Sequence, residues 1–193
     1  MKSSTYIMAR QSSSLASLPV EFRLPNPPAI FCGRRQEIQW LRKAFARGPV
    51  TVVEGEGGFG KSALTHYVLH TRFPERIESA LFISLRDRVP DEFVALSIAR
   101  ALVLANGLRD FDWSELLASP EALTTLAIDL ADTRERWVLL DDLHHCPAAE
   151  VAGFLRQACR YARRSKWIVT TRFAPRIDEL TGQVLSVNGG MYL

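Results

Sequence analysis

A chain of 193 residues, 47% hydrophobic and 23% charged, can bury one sizeable core beneath a mixed charged surface and has no room for a second full domain. Its net charge of +3 is a mild basic bias that does not by itself argue for nucleic acid, so direct nucleic-acid binding is not expected. Cys32, Cys146 and Cys159 are odd in number and lack C-x-x-C spacing, which argues against a disulfide framework or a zinc site and for reduced thiols in the cytoplasm; no apolar run is long enough for a secretory signal or a membrane span.

Residues 1–27 read as a disordered, serine-rich basic arm ending in the Pro-rich linker Leu24-Pro25-Asn26-Pro27-Pro28, and residues 28–193 as the folded domain. A helix is expected over Arg35–Ala46, then a β-branched run, Val50–Glu54, that reads as a buried strand. Next comes Gly55-Glu56-Gly57-Gly58-Phe59-Gly60-Lys61-Ser62, which matches the phosphate-loop pattern G-x-x-x-x-G-K-[ST] without a mismatch, and a helix over Lys61–Thr71. Strand, glycine loop and helix stand in the order this chemistry needs. Four glycines allow positive φ and close approach, so successive N–H groups can turn toward phosphate oxygens at a helix N-terminus whose dipole favours anions. Gly55, Gly57, Gly58, Phe59, Gly60 and Ala63 are the loop's nucleotide-binding candidates, with Lys61 reaching the β and γ phosphates and Ser62 ligating Mg²⁺. His66 and His70, four apart on this helix, have the spacing for a metal but no evident third ligand.

A strand over Ser79–Leu85, a helix over Asp91–Ala105 and a helical insert over Trp113–Thr133 follow. The run Arg136-Trp137-Val138-Leu139-Leu140-Asp141-Asp142 is apolar until it ends in two carboxylates, as a buried parallel strand does. Placed beside the loop strand, Asp141 would hold Mg²⁺ and Asp142 would polarise an attacking water. His144-His145-Cys146 read as a loop shaped by capping. A helix over Ala148–Arg164 sets Arg156, Arg160, Arg163 and Arg164 on one face, either solvated or an interface for an acidic partner or nucleic acid. The strand Lys166–Arg172 brings Arg172 to the rim that carries Asp141 and Gly60, where it can read a γ-phosphate, and a strand over Gln183–Val187 closes the order. Alternating strands and helices give an α/β fold: a three-layer αβα P-loop NTPase with a parallel sheet of about five strands.

Phe31-Cys32-Gly33-Arg34-Arg35-Gln36-Glu37 upstream of the loop, the acidic pair Asp141-Asp142, and Thr170-Thr171-Arg172 together resemble the nucleotide-binding domain of STAND ATPases, the switches that include NB-ARC proteins and the maltose-regulator type of bacterial activator. Leu140-Asp141-Asp142-Leu143-His144-His145 is closer to the bacterial regulators than to plant resistance proteins, and the resemblance covers residues 28–187. It implies ATP or ADP and Mg²⁺ as cofactors, slow hydrolysis with Asp142 and Arg172 as the catalytic pair, and a nucleotide-controlled change between closed and open forms. It also implies that Gly33 and Arg34 pack beside adenine and ribose, and that an extra strand separates the two motifs, as in the ASCE division. The family's lid and winged-helix domains have no room in this chain. It is therefore expected to be a fragment of a larger regulator or a reduced protein with an open lid side for a protein partner or self-association; a hydrolysis-deficient interaction module is the alternative.

Overall fold

The computed structural model describes residues 24–29, 31–86, 93–117 and 119–188. Its strands are β1 (Val50–Glu54), β2 (Ala80–Ser84), β3 (Trp137–Asp141), β4 (Lys166–Thr171) and β5 (Val184–Ser186). Its helices are α1 (Arg35–Arg47), α2 (Lys61–Arg72), α3 (Val94–Ala105), α4 (Pro120–Thr133) and α5 (Ala148–Tyr161). All strands run parallel in the order β2-β3-β4-β1-β5, as expected for an α/β three-layer fold. That order has the extra strand expected between the two motifs and corrects the placing of the Asp141 strand directly beside the loop strand. The Asp141 strand does not adjoin the loop strand; β4 lies between them, pairing Val53 with Thr170 on one side and Val169 with Leu140 on the other.

The strands are apolar on both faces because both faces are covered. Val52, Ile83, Leu140, Trp167 and Val169 point into one layer with α3, α4 and α5, while Val53, Phe82, Leu139 and Ile168 point into the other with α1 and α2. Trp167 is fully buried, edge-on to Phe154 at 5.1 Å, and donates its indole N–H to Ser165 Oγ at 3.1 Å, which satisfies its polar atom. In the second layer Trp137 meets Phe73 at 5.0 Å and Phe45 at 5.9 Å. Leu24 is buried in this layer and the Pro25 carbonyl lies 3.2 Å from His70 Nε2, so the proline-rich segment is packed on the domain from Leu24 onward. Residues 1–23 of the expected arm lie outside the described residues.

Three helix boundaries differ from the periodicity. Of the helix expected from Asp91, residues 91–92 lie outside the described residues, Phe93 is an extended N-cap, and the helix runs Val94–Ala105. The insert expected from Trp113 is helical only from Pro120, where Ser119 Oγ accepts the Ala122 N–H at 3.2 Å; before it, Trp113 to Leu117 form turns. The helix expected to reach Arg164 stops at Tyr161, because the Asp132 carboxylate takes the N–H groups of Arg163, Arg164 and Ser165 at 2.8, 3.2 and 2.8 Å. Arg163 and Arg164 therefore lie past the helix end, although Arg163 still lines one cavity with Arg156 and Arg160. Arg160 and Arg156 lie 2.5 and 3.7 Å from Glu179, and Arg164 pairs with Glu135.

Asp132 is the anion at that corner. Burial works against its charge, but the Ser165 hydroxyl and the three amides outweigh it and hold the carboxyl below its ordinary value. A carboxylate lowered by folding stabilises the fold above its unfolded pKa, and the effect disappears as pH falls through the folded pKa. Asp132→Asn is expected to cost about 1–2 kcal/mol in denaturant unfolding at pH 7. That difference from the parent should close as the pH falls below the ordinary carboxylate range near 4.

Candidate functional site at the carboxyl rim of the sheet

β1 ends at Glu54, and the chain then turns away from the sheet through Gly55. At φ 149° its backbone leaves no room for a side chain: a Cβ there would lie 2.3 Å from the Val187 carbonyl oxygen. Gly58 and Gly60 continue with φ of 81° and 70°, and Gly60 caps α2 in the left-handed conformation. No side chain caps this helix and no acid lies in its first turn, so its N-terminal amides and positive dipole end are not neutralised from within. Phe59 anchors the loop by packing against the α1/α2 layer.

Lys61 is 7% exposed and donates from Nζ to the carbonyls of Gly55 and Glu56 at 2.8 and 3.0 Å. Two of its three donors are thus held by its own loop, leaving one for a ligand. Burial holds its pKa below the ordinary lysine value, opposed by Asp142 and Asp141. Ser62 Oγ donates to Asp141 Oδ1 at 2.6 Å, and Thr170 Oγ1 donates to the same oxygen at 2.5 Å. Oδ2 of Asp141 accepts from none of the described residues. Asp142 sits in the left-handed region at φ 59°, with its N–H on Thr170 Oγ1 at 3.1 Å. Its Oδ2 accepts Arg86 Nη2 at 2.7 Å and Nε at 3.1 Å. His144 Nδ1 lies 3.8 Å from Asp142 Oδ1. Burial, then His145, lowers the pKa of His144, so it is neutral at pH 7 and brings Asp142 no charge.

These groups surround one cavity of about 440 Å³. Of the residues singled out from sequence, Gly57, Gly58, Gly60, Lys61, Ser62 and Ala63 line it from the loop side. Asp141, Asp142 and Arg172 line it from the strand ends, and a Cβ on Gly57 would lie 3.7 Å from Arg172 Nη2. Gly33 and Arg34 do not reach the lining. They stand at the N-terminus of α1 in successive left-handed conformations, φ 76° and 54°, with Arg34 Nη1 buried and without a hydrogen-bond partner among the described residues. Gly55 and Phe59 shape the loop from outside the cavity wall.

His66 and His70 are not brought together on a ligand. His66 packs edge-on to Phe82 at 5.4 Å and His70 faces Pro25, and among the described residues no group of three or more His, Cys, Asp or Glu could hold a metal ion.

Sequence reasoning missed three participants. Arg86, just past the end of β2, lines the cavity; the logic applied to Arg172, a polar residue after an apolar strand, would have found it. Thr170 is 3% exposed and joins both aspartates, a role legible only once β4 is known to neighbour β3. Glu54 accepts the Ala174 N–H at 2.9 Å and the Ser186 hydroxyl at 2.5 Å, tying the segment after Arg172 and the edge strand β5 to the root of the loop.

No family profile and no curated protein matches this chain. Solved structures do. A STAND protein with a tetratricopeptide-repeat sensor from Pyrococcus horikoshii superposes with a TM-score of 0.57 at 19% identity, covering 88% of this chain and 25% of that one. Cdc6p from Pyrobaculum aerophilum gives 0.57 at 15% identity, covering 91% and 48%. The Orc1 protein of Aeropyrum pernix, solved in complex with DNA, gives 0.55 at 19% identity, covering 83% and 46%. The chain spans between a quarter and a half of the length of these proteins. The fold is that of the P-loop ATPases.

The glycines separate two effects. Gly55→Ala is expected to destabilise the domain by more than about 2 kcal/mol, since both φ and the Val187 carbonyl oppose it. Gly58→Ala, with open space around its Cβ, should cost only about 1 kcal/mol of backbone strain. Urea unfolding of the two variants measures the difference.

Proposed function

We propose that this chain is the nucleotide-binding domain of a STAND-type regulatory ATPase, binding ATP or ADP with Mg²⁺ and hydrolysing ATP slowly in the cytoplasm. The observation that carries the reading is the 2.6 Å bond from Ser62 to Asp141 at the foot of a glycine loop that also presents Lys61. Two motifs 79 residues apart thereby meet where a phosphate-bound cation would lie. Solved structures of both STAND and Cdc6/Orc1 proteins share the fold to a similar degree, so the choice of STAND rests on residues: the Asp141-Asp142 pair, Thr170-Thr171-Arg172 and Gly33-Arg34.

Each side chain then has a task. The uncapped amides of α2 bind the inner phosphates, Lys61 reaches the β and γ phosphates, and Arg172 reports on the γ-phosphate with a planar pair of donors. Ser62 and Asp141 fit Mg²⁺, since Oδ2 of Asp141 accepts from none of the described residues; the ion would supply charge neutralisation on the phosphates. Asp142 orients the attacking water and accepts its proton. Gly33 and Arg34 flank the base. A protein partner or a second copy docks at the mouth of the cavity.

The Arg86–Asp142 pair gives a second reading its footing: a binder without turnover, in which the carboxylate needed for water is permanently engaged. Steady-state phosphate release separates the two. The switch reading expects slow Mg²⁺-dependent release that Asp142→Ala abolishes, whereas no release by the parent protein favours the interaction module.

Binding of a fluorescent ATP analogue with Mg²⁺ tests the site itself. Lys61→Ala is expected to weaken it about 10- to 100-fold, the cost of one charge-assisted contact. Binding unchanged in that variant overturns the assignment.

A further inference from the structure

Arg86 is rooted on the far side of β3 from the phosphate loop. Ser84 pairs with Asp141 across β2 and β3, and the Leu85 N–H bonds the Asp141 carbonyl at 3.0 Å, so the base of Arg86 is fixed beside the end of β3. In the order β2-β3-β4-β1, three strand spacings, about 14 Å, separate it from the strand that carries the loop. Its guanidinium nevertheless leans inward and lines the same cavity as Lys61 and Arg172. Those three cations face two carboxylates, Asp141 and Asp142.

The hold of Asp142 on Arg86 is weak. The arginine side chain is 66% exposed, so solvent screens the attraction from its side. A terminal phosphoryl group carries more charge than a carboxylate and matches the same two parallel donors, so it competes well for them.

We propose that Arg86 is a γ-phosphate ligand that leaves Asp142 when a triphosphate enters, selecting triphosphate over diphosphate and freeing the Asp142 carboxylate for water. The inference rests on the nucleotide-binding reading above. Its selectivity comes from position: the inner phosphates lie against the loop and Lys61, beyond an arginine rooted three strands away. A diphosphate therefore leaves the Arg86–Asp142 pair closed, and the carboxylate that orients water becomes available only when there is a γ-phosphate to attack.

The test is isothermal titration with a nonhydrolysable ATP analogue and with ADP, each with Mg²⁺, on the parent chain, Arg86→Ala, Asp142→Asn and the double variant. Arg86→Ala is expected to weaken the triphosphate analogue about tenfold or more and to leave ADP affinity within about twofold, so that ADP binding also reports intact folding. The same loss should persist in the Asp142→Asn background, because the contact is with phosphate. Equal losses for both nucleotides, no loss for either, or a loss that vanishes in the Asp142→Asn background overturns the proposal while leaving the nucleotide site standing. A parent chain that binds neither nucleotide overturns both.

Discussion

The rim of this domain depends on one carboxylate oxygen. Asp141 Oδ1 accepts the hydroxyls of Ser62 and Thr170, and through them the end of β3 is joined to the first turn of α2 and to the end of β4. A half-buried anion must be met by donors, and charge-assisted bonds are about twice as strong as neutral ones, so this junction fixes three elements more firmly than van der Waals contact alone would. Thr170 extends it by accepting the Asp142 N–H, which secures a left-handed residue that would otherwise be costly.

Glu54 does for the far side what Asp141 does for the near side. At the end of β1 its carboxylate takes the Ala174 amide and the Ser186 hydroxyl, so the segment just beyond Arg172 is held by the strand from which the loop departs. The tight contact between Gly55 and the Val187 carbonyl completes this clamp. The segment after Arg172 and β5, a short strand that pairs with β1 at the edge of the sheet, thus share one carboxylate.

Charge is arranged by distance from the loop. Lys61 lies deep and folded on carbonyls, whereas Arg86 and Arg172 are exposed on the strand ends across the cavity. Buried cations are expensive to move and exposed ones are not, which makes the outer pair the adjustable part of the site. The groove side that bears α4 and α5 is neutralised differently, by Glu179 against Arg156 and Arg160 and by Glu135 against Arg164. Three arginines of the basic stretch legible in the sequence thus meet acids from other segments.

The sequence by itself determined the phosphate loop, the two-faced strands and the acidic strand end, because each is local: Gly60-Lys61-Ser62 needs only its neighbours to form, and a run such as Val138–Leu140 is stable only when covered on both sides. It also determined the strand and helix order, and so the α/β class. Only the tertiary structure decided which strand stands between β1 and β3, because hydrogen-bonded pairing is indifferent to sequence separation. That choice placed Thr170 between the aspartates and Arg86 against Asp142. It also ended α5 early, since the Asp132 carboxylate that captures the amides of residues 163–165 comes from a different helix. Periodicity records which face of an element is buried, and it carries no information about which distant donor or acceptor will satisfy that element's end.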